Sequence, residues 1–205
     1  MQSVCSQILA VSQQRDTIAL VAAVTAAALL LLGDCRWQPL LLLPLSGALA
    51  LLAGGPPVCE MVLLRTAVGV FATLILLLQR DVSLRPTWRT RLSGLTMRAL
   101  GIALAATIAM SLLSIFPLPT GDTPLWQALA GSGALSFLHT LVSRKARGIA
   151  TGTVAMLLVL DAATWLLRPS LLVLAGCGAL ALLVALGGSL HENPRADLAA
   201  EEAVA

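Results

Sequence analysis

The chain has 205 residues and a net charge of +3, and 58% of its residues are hydrophobic while 11% are charged. Soluble domains carry about 25% charged residues, so this composition, with a mean hydropathy of +0.92, excludes a sizeable water-soluble domain. The positive charge does not indicate a nucleic-acid partner, because the basic residues lie in short loops beside apolar spans, where membrane topology explains them.

Seven apolar stretches follow one another along the chain, and they predict an all-α, polytopic integral membrane bundle. They cover residues 17–32, 39–53, 60–78, 99–116, 126–142, 149–167 and 170–188. Continuous runs rich in Ala and Leu favour helices, because strands of a membrane barrel alternate apolar and polar residues. The lipid bilayer is therefore the predicted surrounding of most of the chain.

The first two spans are short, at about 24 Å each against a hydrocarbon core of about 30 Å. Pro44 is expected to break the second of them. If the two spans form a non-spanning hairpin tucked against partner helices, the number of transmembrane helices is six instead of seven.

Loops and tail divide the chain into four parts. An N-terminal segment of three spans (1–78) precedes a basic loop (79–98) with five arginines, and a segment of four spans (99–190) precedes a polar, acidic tail (191–205) that is expected to be flexible. The two multi-span segments form either one bundle or two bundles that dock against something larger.

The distribution of basic residues predicts the orientation. Basic residues are concentrated in the loop 79–98 and the turn 143–148. The connection 117–125 between them contains a single charged residue, Asp122. Basic loops stay in the cytoplasm, which puts the N-terminus outside and the C-terminus in the cytoplasm. Abundant Ala, Leu and Arg with almost no Lys indicate a GC-rich bacterial genome, and hence a multi-pass protein of a bacterial inner membrane.

Two ionisable residues, Arg65 and Asp161, lie inside predicted spans. Such side chains cost about 2.5–3.5 kcal/mol each on insertion scales, and opposite charges at similar depth on different helices can pair. The pair is interpreted either as a clamp between helices or as a carboxylate whose protonation is tuned by the arginine, as a proton path requires. In the second interpretation His139 serves as the inner relay.

The fifth span carries a polar stripe, because Ser132, Ser136 and His139 are spaced four and three residues apart. It is interpreted either as ordinary packing, with hydroxyls bonded to their own i−4 carbonyls, or as a polar path towards the basic loop. Several glycines predict close helix crossing; they are Gly131, Gly133, Gly148, Gly152, Gly176 and Gly178.

The segment 130–134 (AGSGA) resembles the GxSG nucleophile segment of rhomboid intramembrane proteases, with Ala130 in place of the first glycine. This resemblance implies Ser132 as an alternative nucleophile. Those enzymes pair the serine with a histidine on a later transmembrane helix, and here the later histidine is His191, in the polar tail.

Residues 135–189 contain a span that ends in the basic turn 144–147 (RKAR), a span with Gly152 near its start and Asp161 inside, and a last span rich in small residues. This layout resembles the small K-type membrane subunit of respiratory complex I and the related subunits of group 4 hydrogenases and multisubunit sodium/proton antiporters. The resemblance implies a lateral or structural subunit of a quinone- or ion-coupled complex. That family has a glutamate in its middle helix and another in its last helix. In this chain the middle helix has Asp161 instead, and the last helix has no acidic residue.

The preferred hypothesis is an accessory membrane subunit of a larger energy-transducing complex, with no catalytic activity of its own. A small stand-alone transporter and an intramembrane serine protease that uses Ser132 are the alternatives. No nucleotide, haem or metal motif is present, and the four cysteines have no ligand spacing, so we predict no cofactor. A Cys5–Cys59 disulfide is compatible with the predicted topology. The expected partners are other membrane subunits and lipid, with no nucleic acid.

Overall fold

Among the residues that it describes, the computed structural model has six α-helices with defined bounds and no strand. It describes residues 14–32, 37–53, 59–78, 99–100, 102–103, 107, 123–143, 146–167 and 171–190. The helices are α1 (Arg15–Leu32), α2 (Leu42–Ala53), α3 (Cys59–Leu78), α4 (Thr123–Val142), α5 (Ala146–Leu167) and α6 (Leu171–Leu190), and a 3₁₀ turn (Gln38–Leu41) precedes α2. The all-α prediction is confirmed for this part of the chain.

Three helical segments are long and apolar enough to cross a membrane: Arg15–Leu32, Met61–Leu78 and Arg147–Leu167. Gln38–Ala53 and Leu172–Gly187 are apolar but shorter. The α4 helix has 20 residues, but Gln, Ser, His and Thr side chains make it more polar than these. The predicted span 99–116 lies mostly outside the described residues. The helices are compatible with a membrane location, and three of the seven predicted spans have the length and composition to cross.

Two helices, α2 and α5, lie at the centre of the bundle and contact each other. On one side, α1 and α4 pack together and cover them, and on the other side α3 and α6 do the same. Each half of the chain therefore supplies one central helix and part of each flanking pair. The two multi-span segments interleave in one bundle.

The short helix α2 is enclosed by its neighbours. Its leucines Leu42, Leu45, Leu49 and Leu52 are all buried, at most 2% exposed. The flanking helices, in contrast, expose large aliphatic side chains such as Leu183, which is 65% exposed. Apolar surface of this extent is rare on soluble monomers, and its distribution is compatible with lipid around the bundle. Of the two short spans that could form a hairpin tucked against partner helices, α2 is enclosed by helices of this chain, whereas α1 is long and apolar enough to cross a membrane.

The prediction that Pro44 breaks the second span is wrong. Residues Leu42–Ala53 form an unbroken α-helix, and Pro44 is its third residue. Proline is tolerated in the first turn, because backbone N–H groups there have no intrahelical partner to lose. The 3₁₀ turn in front of α2 leads into the helix without a kink at the proline.

Candidate functional site

Arg65 of α3 and Asp161 of α5 form an ion pair, with Arg65 Nε donating to Asp161 Oδ2 at 2.6 Å. Their side chains are 5% and 8% exposed. Arg65 lies about 9 Å from the start of α3, and Asp161 lies about 9 Å from the end of α5. The two antiparallel helices thus place opposite charges at one depth, and the structure brings these two predicted residues together.

Trp165, one turn after Asp161 on α5, also contacts the arginine. The guanidinium carbon of Arg65 lies 4.7 Å from the centre of the indole ring, within the range of a cation–π interaction. Trp165 was not singled out from the sequence as a partner of this pair. The spacing of four residues between Asp161 and Trp165 was the available signal, because it puts both side chains on one face of the helix.

Part of this polar group has no hydrogen-bond partner within the described structure. The buried atoms concerned are Arg65 Nη1, Arg65 Nη2 and Asp161 Oδ1. Buried donors and acceptors are nearly always satisfied in native proteins. The ion pair therefore uses one nitrogen and one oxygen, and leaves two nitrogens and one oxygen available to a further group.

A cavity of about 320 Å³ adjoins the ion pair between α3, α5 and α6. Arg65 and Asp161 lie in its wall, and so does the thiol-bearing Cys177 of α6. The rest of the wall is aliphatic or glycine. This is an apolar site with one concentrated polar region.

The opposite end of the bundle holds a second polar cluster around His139 of α4. Gln38 Nε2 donates to His139 Nε2 at 2.6 Å and to the Leu29 carbonyl oxygen at 3.1 Å, and Ser143 Oγ lies 3.0 Å from the same ring nitrogen. An amide donor at Nε2 matches the histidine tautomer that carries its proton on Nδ1. Gln38 and Ser143 were not singled out from the sequence, and Arg147, which is buried in this region, was predicted only as part of the basic turn 144–147.

Gly152 of α5 allows the close crossing that its spacing predicts. A Cβ atom there would lie 2.7 Å from Thr140 Cγ2 and 2.9 Å from His139 Cδ2, so only glycine admits α4 at this distance. The neighbouring Gly148 is buried. Gly133 and Gly178 make ordinary contacts, with Val159 and Val68 respectively.

Within the described residues, a Cβ at Gly131 or Gly176 would meet nothing within 4 Å, so the structure gives no close crossing at these two positions. These glycines lie on parts of α4 and α6 that face away from described neighbours. Gly69, which was not predicted, packs directly against Ser46 of α2. Residue type alone does not reveal which face of a helix meets a neighbour.

His139 is not joined to the ion pair. Its neighbour Gly152 and Asp161 lie nine positions apart on α5, which corresponds to about 13 Å along the axis. Between them α5 buries aliphatic residues such as Val154, Ala155 and Leu158. The hydrogen bonds described here form no chain from Asp161 to His139.

Ser132 is fully buried, and its Oγ atom has no hydrogen-bond partner within the described residues. Ser136 Oγ donates to the Ser132 carbonyl oxygen at 2.7 Å, as expected for a helical serine. His139 shares the buried stripe but bonds Gln38 and Ser143 instead of Ser132. His191 and the pair Cys5–Cys59 fall outside the side chains described.

No protein-family model, curated protein or solved structure matches the chain. Across the described part of the chain, no group of three His, Cys, Asp or Glu side chains is close enough to hold a metal ion. The ion pair, the cavity and the polar cluster around His139 are therefore the features that bear on function.

Proposed function

We propose that this chain is a non-catalytic accessory integral membrane subunit of a larger energy-transducing complex, redox-driven or ion-translocating and similar to complex I. The observation that carries the proposal is the buried Arg65–Asp161 pair. Two charges inside an apolar bundle cost several kcal/mol in desolvation. The pair also lies where the segment 135–189, which resembles the K-type subunits, meets the N-terminal helices.

Asp161 is the candidate proton carrier in this complex. Oδ2 accepts from Arg65, while Oδ1 is buried without a partner and the residue borders the cavity. A proton arriving through the cavity would meet the unpartnered oxygen of this carboxylate. A continuation to His139 requires groups from partner subunits or from other parts of the chain, because α5 is apolar between the two sites.

The orientation belongs to the same proposal, with the basic turn at 144–147 in the cytoplasm and the Arg65–Asp161 pair towards the outside. The two sites lie at opposite ends of α5, which fits this assignment. A cysteine introduced at Lys145 should react with an impermeant maleimide only after the cells are opened, and one at Pro169 in intact cells. The reverse pattern would invert the orientation.

Native purification of the tagged protein in mild detergent, followed by mass spectrometry, tests the accessory role directly. We expect redox or antiporter-like membrane subunits in a fixed ratio to this chain. A lone, stable protein would contradict the proposal.

Asp161→Asn tests the proton-carrying role within the assembled complex. The amide keeps the size of the side chain but cannot carry a proton, so proton-coupled turnover should fall at least about tenfold, the scale of a lost general acid–base group. Thr153→Val is the matched control on α5, because its hydroxyl bonds only the carbonyl of Ile149 four residues earlier. Normal turnover in an assembled Asp161→Asn complex would leave the pair with a structural role.

The cavity favours a second candidate function, a small stand-alone transporter. Transporters hold their substrate in a cavity between helices near the middle of the membrane. A purified chain that moves a solute across vesicles, and stays stable without partners, would support this candidate over the first.

A further inference from the structure

The cavity beside the ion pair has a polar wall of defined chemistry. Arg65 Nη1 and Nη2 bring hydrogen-bond donors, and Asp161 Oδ1 brings an acceptor, all buried and without partners in the described structure. Trp165 covers one side of the guanidinium group. A complementary ligand head must therefore accept hydrogen bonds from the arginine and donate one to the aspartate.

The remaining wall matches an aliphatic chain. Leu157, Leu158, Leu174 and Leu182 line it, and among the residues that the structure describes no other charged side chain does. The volume of about 320 Å³ lies at the lower end of the range of about 300–1,000 Å³ for small-molecule sites. It holds a head group and part of a chain, so the rest of the chain must lie outside.

The cavity is accessible from the surface of the bundle that would face lipid. Leu64 of α3 and Ala175 and Ala179 of α6 line it, and all three are exposed. An amphiphile could thus enter sideways between α3 and α6, with its tail remaining in the bilayer.

We propose that this cavity binds a long-chain carboxylic acid in its protonated form. The carbonyl oxygen accepts from the Arg65 Nη groups, the hydroxyl donates to Asp161 Oδ1, and the alkyl chain lies along α6. No bond is broken, and the proton stays in the hydrogen bond between the two carboxyl groups. This site does not depend on the accessory-subunit role proposed above.

The net charge of the site favours a neutral head group over an ionised one. Arg65 and Asp161 together carry no net charge, so a neutral acid leaves the buried site neutral, whereas an added carboxylate would bury an uncompensated negative charge. An amine head would offer Arg65 further donors instead of an acceptor. A methyl ester would accept from Arg65 but leave Asp161 Oδ1 unpaired.

The test is photo-crosslinking of the full-length protein in phosphatidylcholine vesicles. The probe is a palmitic acid analogue with a diazirine in its chain, and its methyl ester and the corresponding amine are the matched controls. We expect the acid to label residues 172–182 of α6, with competition by unlabelled palmitic acid. Labelling by the ester should be about tenfold weaker, because one buried hydrogen bond is lost, and equal labelling by all three heads would overturn the proposal.

Two variants test the volume of the cavity and its polar contacts separately. Cys177→Leu fills the cavity and leaves the ion pair in place, while Arg65→Met/Asp161→Leu removes the polar wall without leaving one charge unpaired. Both should lose most labelling by the acid while keeping the circular dichroism and elution volume of the wild type. Leu183→Phe, on the exposed face of α6 away from the cavity, should label normally. Unchanged labelling in the first two variants would overturn the proposal.

A partner helix is the competing occupant. If acid labelling of the isolated chain disappears in the purified complex, and a partner segment crosslinks to residues 172–182 instead, the cavity is a subunit interface and the proposal is wrong. The comparison of head groups in vesicles is independent of the co-purification result, because it uses the chain alone.

Discussion

Arg65 reaches across from α3 to two side chains of a single helix, Asp161 and Trp165 of α5. A charged contact and a ring contact one turn apart fix both the depth and the rotation of α3 against α5. Because the pair is buried, replacing only one of its two residues leaves the charge of the other uncompensated.

The loss of stability should therefore be large for each single substitution of the ion pair and small for the double substitution. Arg65→Met or Asp161→Leu alone should destabilise the protein by about 3–5 kcal/mol, whereas the double variant should lie close to wild type. Thermal unfolding in detergent, followed by circular dichroism, measures this double-mutant cycle. Additive losses in the double variant would show that the two residues act independently.

Gln38 should matter as much for the other end of the bundle. Gln38→Leu leaves buried His139 without its amide donor, so we expect a loss of about 1–3 kcal/mol. Gln127→Leu is the control, because Gln127 of α4 is exposed. Chemical denaturation of the two variants makes the comparison, and equal effects would argue against a structural role for the His139 contact.

These residues differ in how far sequence reasoning reaches them. Arg65 and Asp161 are rare charges at matched depth in apolar spans, so their pairing was a natural candidate. Gln38 was hidden, because a glutamine at the start of a span also fits the membrane interface. Its role depends on the turn before α2 lying beside the end of α4, a contact 101 positions apart that no local pattern encodes.

Helix crossings depend on which face of each element meets a neighbour. Gly152 lies where α5 meets α4, while Gly131 lies on an open face of α4. Both occur in sequences of small residues that favour close packing. Continuous apolar runs predict the helices, but the partner of each helix face follows only from the three-dimensional arrangement.

The two glycines should respond oppositely to alanine. Gly152→Ala places a methyl group against Thr140 and His139 and should destabilise the bundle by about 1–3 kcal/mol, the usual cost of overpacking. Gly131→Ala meets open space and should be neutral, or stabilising by up to about 1 kcal/mol through helix propensity. Thermal unfolding of the two variants side by side checks this, and a loss at both positions would mean that α4 has another neighbour at Gly131.

At the scale of the whole molecule, an inner pair of helices is covered by two outer pairs. The sequence predicts apolar helices and their order, because composition and span length are local properties. It does not predict that α2, one of the most apolar segments, is the most enclosed, because hydropathy does not distinguish a side chain facing lipid from one facing another helix.

Lipid contact should follow this arrangement. A diazirine reagent dissolved in the bilayer should modify exposed positions of α6, such as Leu172 and Leu183, and leave α2 unmodified. Mass spectrometry of the labelled protein gives the comparison without any substitution, and α1, which has both buried and exposed residues, serves as the internal reference. Comparable labelling of α2 and α6 would contradict an enclosed α2.

The position of α2 at the centre of the bundle means that some of its contacts form only late in biosynthesis. Roughly 90 residues separate the end of α2 from the start of α5, its neighbour at the centre of the bundle. At about 5–20 residues per second, α2 and Gln38 spend seconds in the nascent chain before His139 and α5 emerge from the ribosome. A chain cut before His139 has α1 and α3 to pack against α2 but lacks α5 and the histidine that Gln38 bonds, so we expect the N-terminal half to be a substrate for membrane quality control until the second half arrives.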